Sequence, residues 1–378
     1  MASWLLPEGI SDVLPEEARR VEGLRRALLD LYASYGYEFV IPPLIEYLDS
    51  LLTGTGRDLD LRTFKFVDQL SGRQLGLRAD ITPQTARIDA HILNRSGVVR
   101  LCYAGSVLHT RPAHPLATRQ PIQVGAELYG HAGLAADAEI QQLAVASLRR
   151  AGVQRVVLDL GHTAIVRALL ADVPPPIAEQ IIDALAAKDA PALRAAARVA
   201  PPATAAAVEA LTHLHGDVRV IDEARRLLPS QPIIVRALDD LARLAEISDA
   251  DEVGIDLADL HGYRYYTGVN FAAYEPRVAG ALLRGGRYDD IGRAFGRARP
   301  ATGFSVDLRD LVRLHEGDPA PLPIVAPADD DPALAQAVAA LRANGAVVVR
   351  QLAPDEPLPA LARRLCRIDG RWQVVDQD

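Results

Sequence analysis

The sequence predicts an α+β fold on three grounds. Short apolar runs are bounded by turn residues, helical periodicities are interspersed among them, and the regular strand–helix–strand alternation of a doubly wound parallel sheet is missing. The 378 residues, 49% of them apolar, suffice for two or three domains around a substantial core. A larger domain is expected over 1–318, interrupted by an alanine-rich helical insertion at about 164–250, with a short α/β module over 319–378.

Pro15-Glu16-Glu17 opens the first helix, since proline fits the first turn and the acids complement the helix dipole. Val21, Leu24, Leu28 and Leu31 recur at helical spacing, and Gly36 ends the element. Strands are predicted over residues 38–41, 74–77, 98–109 and 119–130. In the last of these, Ile122, Val124, Ala126 and Leu128 share one face, while Gln123, Gly125, Glu127 and Tyr129 share the other. A helix through Ile140, Leu143, Ala144 and Leu148 follows, then a strand at 155–160. Pro174-Pro175-Pro176, Pro191, Pro201-Pro202, Pro229 and Pro232 punctuate the insertion. Strand signals resume at 252–257, 269–274 and 278–284, the last leading into Gly285-Gly286. A helix is expected from Gly303-Phe304-Ser305 to about His315, before a stiff linker at Pro319, Pro321 and Pro323. The tail reads strand, helix, strand, then a helix and a short strand at 372–375.

Composition narrows the function. A net charge of −8 disfavours a broad surface tracking nucleic-acid phosphates. Two distant cysteines, Cys102 and Cys366, offer no disulfide framework or cysteine zinc site, which suits a reducing cytoplasm. No long apolar run or basic-flanked leader predicts a membrane span or secretion. The nine histidines lack ligand spacing, His213 and His215 reading as a surface helix pair, so no metal site is expected. Neither a phosphate loop nor a nucleophile elbow occurs, and no cofactor is expected.

Three places carry candidate chemistry. Gln123 and Glu127 lie about 13 Å apart on one strand face, with Gly125 leaving open space between them. An acid and an amide over a gap suit a ligand bearing an ammonium group and a hydrogen-bonding ring; a solvent-facing polar sheet surface is the plainer alternative. Asp80 stands at a strand end, placed to meet an amine, with Thr82 as N-cap and Pro83 at the first helical position. Tyr263, Tyr265 and Tyr266 form the densest aromatic stretch, able either to fill core or to close a pocket over a small ring.

Tyr103-Ala104-Gly105, the run from Arg119 to Glu127, Tyr265-Tyr266-Thr267-Gly268 and Gly285-Gly286-Arg287-Tyr288-Asp289 together resemble, in order, the histidyl-tRNA synthetase catalytic domain over roughly Leu6 to Leu314. The resemblance implies a class II aminoacyl-tRNA synthetase-like antiparallel sheet flanked by helices, dimerised through its amino-terminal region. It also implies a histidine pocket of Asp80, Thr82, Gln123, Glu127, Tyr265 and Tyr266.

The departures concern ATP. His109 and Arg111 stand where the family has an arginine and a glutamate, and Asp310 replaces an arginine that would meet the phosphates. The arginine of the family's histidine-specific loop aligns near His261. A carboxylate about 4 Å from a phosphate charge repels it by roughly 4 kcal/mol at an effective dielectric of 20, where arginine would attract it by a similar amount. Adenylation is therefore expected to be absent. The tail of about 55 residues is also short for the family's anticodon-binding domain.

This combination resembles the regulatory subunits of ATP phosphoribosyltransferase. It implies a non-catalytic chain that works with a short-form catalytic subunit in the first step of histidine biosynthesis and conveys feedback by L-histidine, without tRNA or membrane. A stand-alone histidine sensor and an unusual active synthetase are the alternatives.

Overall fold

The computed structural model describes residues 4–54, 57–112, 117–314, 321–354, 356–357 and 362–376. The chain forms two compact units, Met1–Gly317 and Asp318–Asp378. Pro319 and His315, the expected linker and helix end, lie outside the described residues.

The larger unit is built on a nine-stranded sheet. Its strands run in the spatial order Glu38–Phe39, Val99–Ser106, Ile122–Tyr129, Ala301–Asp307, Leu283–Arg287, Val269–Tyr274, Val157–His162, Glu252–Asp256 and His215–Asp217. From Val99–Ser106 to Val157–His162 every neighbouring pair is antiparallel; the Glu38–Phe39 and Glu252–Asp256 strands add in parallel. This is the class II synthetase-like architecture, a large central sheet flanked by helices.

Helix Pro15–Ser34 begins where the proline and acids predicted, and turns Val21, Leu24, Leu28 and Tyr32 inward. With helices Leu134–Arg150 and Leu308–Leu314 it covers the sheet face bearing Val124, Ala126 and Leu128. Each such buried aliphatic side chain contributes about 1.5–3 kcal/mol, so this layer anchors the sheet and fixes which residues of the Ile122–Tyr129 strand face away from it.

A separate three-stranded antiparallel sheet, Ile45–Tyr47, Gln74–Leu77 and Phe64–Val67, leads into helix Thr82–Arg87. No described helix is long and apolar enough to cross a membrane.

Several local readings change. The strand Ala301–Asp307 was not expected, because a sheet-centre strand buried on both faces shows little polar alternation and Gly303 reads as a breaker. The strand predicted at 278–284 is Leu283–Arg287, so Gly285 and Gly286 lie inside the sheet, not in a turn; a Cβ at Gly285 would overlap the Phe271 ring. The insertion is helical, from Thr163–Leu169 to Pro232–Glu246, but includes the edge strand His215–Asp217. His215 is therefore on a strand, pairing opposite Asp256, and His213 lies in the turn before it, not on a helix with it.

In the smaller unit, strands Val348–Arg350, Ile324–Ala326, Arg363–Ile368 and Arg371–Val375 form a sheet against helix Pro332–Ala343, with Leu334, Val338 and Leu365 in its core. Of the segment before residue 372 where a helix was expected, residues 355 and 358–361 lie outside the described residues and Arg363–Ile368 is a strand. Asp369 and Gly370, both at positive φ, make the two-residue connection that favours a hairpin.

Candidate functional site

The sheet face turned away from the main helical layer holds the candidate residues. Register pairs Tyr103 with Gly125 and Glu127 with Gly303, large against small across adjacent strands. A Cβ on Gly125 would stand 2.5 Å from the Tyr103 hydroxyl, and one on Gly303 would overlap the Glu127 carboxylate. The glycines create room, and this chain's own side chains fill it. The open space expected beside Gly125 is occupied by the Tyr103 phenol, because a cross-strand neighbour can lean over a residue without a side chain.

Glu127 is 1% exposed. Its Oε1 accepts hydrogen bonds from Thr82 Oγ1 and Tyr103 Oη, each at 3.0 Å, and its Oε2 accepts one from the Tyr288 hydroxyl. A solvent-facing polar surface is thus ruled out at this position. Burial pushes the Glu127 carboxyl up to about 8; the three hydroxyls oppose that shift, and Asp80 adds to it. Among the described residues no cation pairs with this carboxylate, so burial costs it several kcal/mol in the charged form, offset only in part by hydroxyl donors.

Thr82 is the first helical residue, not the N-cap. Its hydroxyl faces Glu127 and Tyr103, while its backbone N–H donates to Asp80 Oδ1 at 3.0 Å. Asp80 Oδ1 also accepts from Gln123 Nε2 at 2.7 Å, and Gln123 Oε1 accepts from the Ile81 N–H at 2.8 Å. That backbone donor settles which way the amide points. Asp80, Thr82, Gln123 and Glu127 therefore form one linked polar set.

Tyrosines roof it. The Tyr265 ring stacks on Tyr288 at 4.9 Å and meets Tyr266 edge-on at 5.5 Å. The buried Tyr265 hydroxyl has no hydrogen-bond partner. Burial, then the nearby Glu127 charge, raises the hydroxyls of Tyr103, Tyr265, Tyr266 and Tyr288, so all act as neutral donors. Tyr103 and Tyr288 were not singled out as site residues from sequence. Tyr288 lies in the Gly285–Asp289 block, but its approach to Glu127 depends on the strand Ala301–Asp307 between them.

The other four candidates do not join this set. His109 Nε2 lies 2.9 Å from the Ala79 carbonyl, and burial holds its pKa below the usual imidazole value. Arg111 is exposed. His261, also exposed, has Nδ1 3.0 Å from Asp259 Oδ1. Asp310 pairs with Arg313 at 3.3 Å on its own helix. Among the described residues, no group of three or more His, Cys, Asp or Glu side chains could hold a metal ion.

Comparison with known proteins gives a consistent result. Residues 9–311 match the family model described as Histidyl-tRNA synthetase, and residues 321–375 match the ATP phosphoribosyltransferase subunit HisZ C-terminal domain. The chain is 57% identical to an ATP phosphoribosyltransferase regulatory subunit from Ralstonia pickettii (strain 12J), over 98% of this chain and 97% of the relative. It is also 57% identical to one from Burkholderia multivorans (strain ATCC 17616 / 249), over 99% of both. A solved ATP phosphoribosyltransferase regulatory subunit/histidyl-tRNA synthetase from Bacillus halodurans superposes with a TM-score of 0.82 at 29% identity, covering 93% of each chain. Histidyl-tRNA synthetase from Nostoc sp. PCC 7120, at 20% identity and TM-score 0.76 over 95% of this chain and 88% of its own, shares the fold.

Proposed function

Because the chain belongs to the ATP phosphoribosyltransferase regulatory subunits, we propose that it works without catalytic activity of its own beside a short-form catalytic subunit, and that L-histidine acts through it. The observation that carries this reading is near-full-length identity to regulatory subunits, tail included. The placement of histidine rests on Glu127, a buried carboxylate ringed by hydroxyl donors. The ligand's ammonium group supplies the charge that Glu127 lacks, and Asp80, Gln123 and the tyrosines orient the rest.

The Tyr103 phenol occupies the space over Gly125 and the tyrosines roof Glu127, so histidine enters as Tyr103 or the Tyr265–Tyr266 pair moves. That requirement gives histidine two conformations to discriminate, as any allosteric ligand needs. Self-association through the sheet edge is the further part of the proposal. The Arg95–Glu38 ion pair brings the segment carrying the exposed Ile92 and Val98 alongside the exposed Phe39 and Ile41.

The test is ATP phosphoribosyltransferase activity of a purified short-form catalytic subunit, with and without this chain and histidine. Activation, and inhibition by histidine only in the presence of this chain, is the expected result. Equal histidine inhibition of the catalytic subunit alone would move the feedback site to the partner.

A further inference from the structure

On the helix-covered side of the sheet, a polar cavity of about 220 Å³ is bordered by Ser11, Asp12, Ser106, Gln120 and Arg309, with Val13 and Ile122 as its apolar side. It is distinct from the Glu127 set: Ile122 shares the core-facing row of Val124 and Ala126, opposite to Gln123 and Glu127.

Arg309 is the unusual group. Its side chain is only 7% exposed, yet its contacts are long: Nη2 to Ser11 Oγ at 3.2 Å, Nη1 to Thr118 Oγ1 at 3.4 Å, and Nε to Glu17 at 3.6 Å. The buried Nε makes no hydrogen bond. A buried guanidinium with five donors is normally matched more closely by acceptors. A simple anion fits the surroundings poorly, because Asp12 borders the same cavity and Glu17 and Asp307 lie beside Arg309. Opposite charges on one small wall call for a ligand that carries both.

We propose that this cavity binds a small zwitterion of the α-amino acid class, its carboxylate on Arg309 and Ser11 and its ammonium on Asp12 and the Gln120 carbonyl oxygen. The size agrees, since the cavity equals roughly seven waters at about 30 Å³ each. The site is also coupled to the other face of the sheet. Asp307 Oδ1 accepts the backbone N–H groups of Arg309 and Ile122, and Asp307 stands directly opposite Gln123 in the strand register.

Ligand-observed NMR titrations of the full chain with L-alanine, acetate and inorganic phosphate test this. L-Alanine is expected to bind saturably and at least tenfold more tightly than acetate or phosphate. Asp12→Asn, at the exposed mouth where folding is not at stake, and Arg309→Gln should each weaken L-alanine at least tenfold, whereas Glu127→Gln should not. Acetate or phosphate binding as tightly as L-alanine would make this an anion site and overturn the proposal. So would the absence of saturable binding, or loss of L-alanine binding in Glu127→Gln alone.

Discussion

Glu127 and Asp310 are both acidic groups of the larger unit, yet they live in opposite physical regimes. Glu127 is sealed beneath tyrosines and ringed by three hydroxyls, and burial pushes its carboxyl up to about 8. Asp310 is part-exposed and spends its charge on Arg313 one helical turn away. The same division separates Asp80, Thr82 and Gln123, which bind one another, from His109, Arg111 and His261, which face backbone, solvent or a local aspartate. The difference teaches that side chains gathered from distant strands and a helix start bind one another, whereas His109, Arg111, His261 and Asp310 stay in local contacts or in solvent.

The sharpest way to break this comparison is to remove Glu127. Glu127→Ala should lower histidine affinity by about thirtyfold or more, about 2–5 kcal/mol for truncating one partner of a buried charge pair. Calorimetric titration checks it, and unchanged heats would remove the pocket assignment. Next in size is Gly303→Ala. Its methyl would overlap the Glu127 carboxylate, so destabilisation of about 1–3 kcal/mol is expected by urea denaturation, whereas Asp310→Ala should stay within about 0.5 kcal/mol.

pH sharpens the comparison further. Glu127 titrates near 4.5 in the unfolded chain and about 8 when folded. Between those values the folded state holds a proton that the unfolded chain has released, so this group's contribution to stability falls as pH rises through that window. Thermal melts of wild type and Glu127→Gln from pH 5 to 8 should show a smaller decline in the variant. A histidine ammonium pairing with the carboxylate should also expel that proton at pH 7, visible as buffer-dependent binding heats. The smallest effect expected is at Tyr265→Phe. Loss of a buried hydroxyl without a partner should leave stability unchanged or raise it by up to about 1 kcal/mol, while histidine affinity falls if that hydroxyl meets the ligand.

The division between sequence and structure follows physical lines. Helix Pro15–Ser34 was legible because its start signals and apolar spacing are local, and the family resemblance was legible because short blocks keep their order. Gln123 and Glu127 could be placed on one face of a strand from the two-residue period alone. The ordered motif blocks likewise indicated the histidyl-tRNA synthetase-like fold. Tertiary structure decided the rest. Only strand register shows that Tyr103 fills the space above Gly125 and that Gly303 yields to Glu127. Only the interposed strand Ala301–Asp307 brings Tyr288 to the same carboxylate from 161 residues away. Periodicity along a chain reports which way each side chain points, but the charge state of Glu127 depends on what reaches it from distant strands, and that is set by packing.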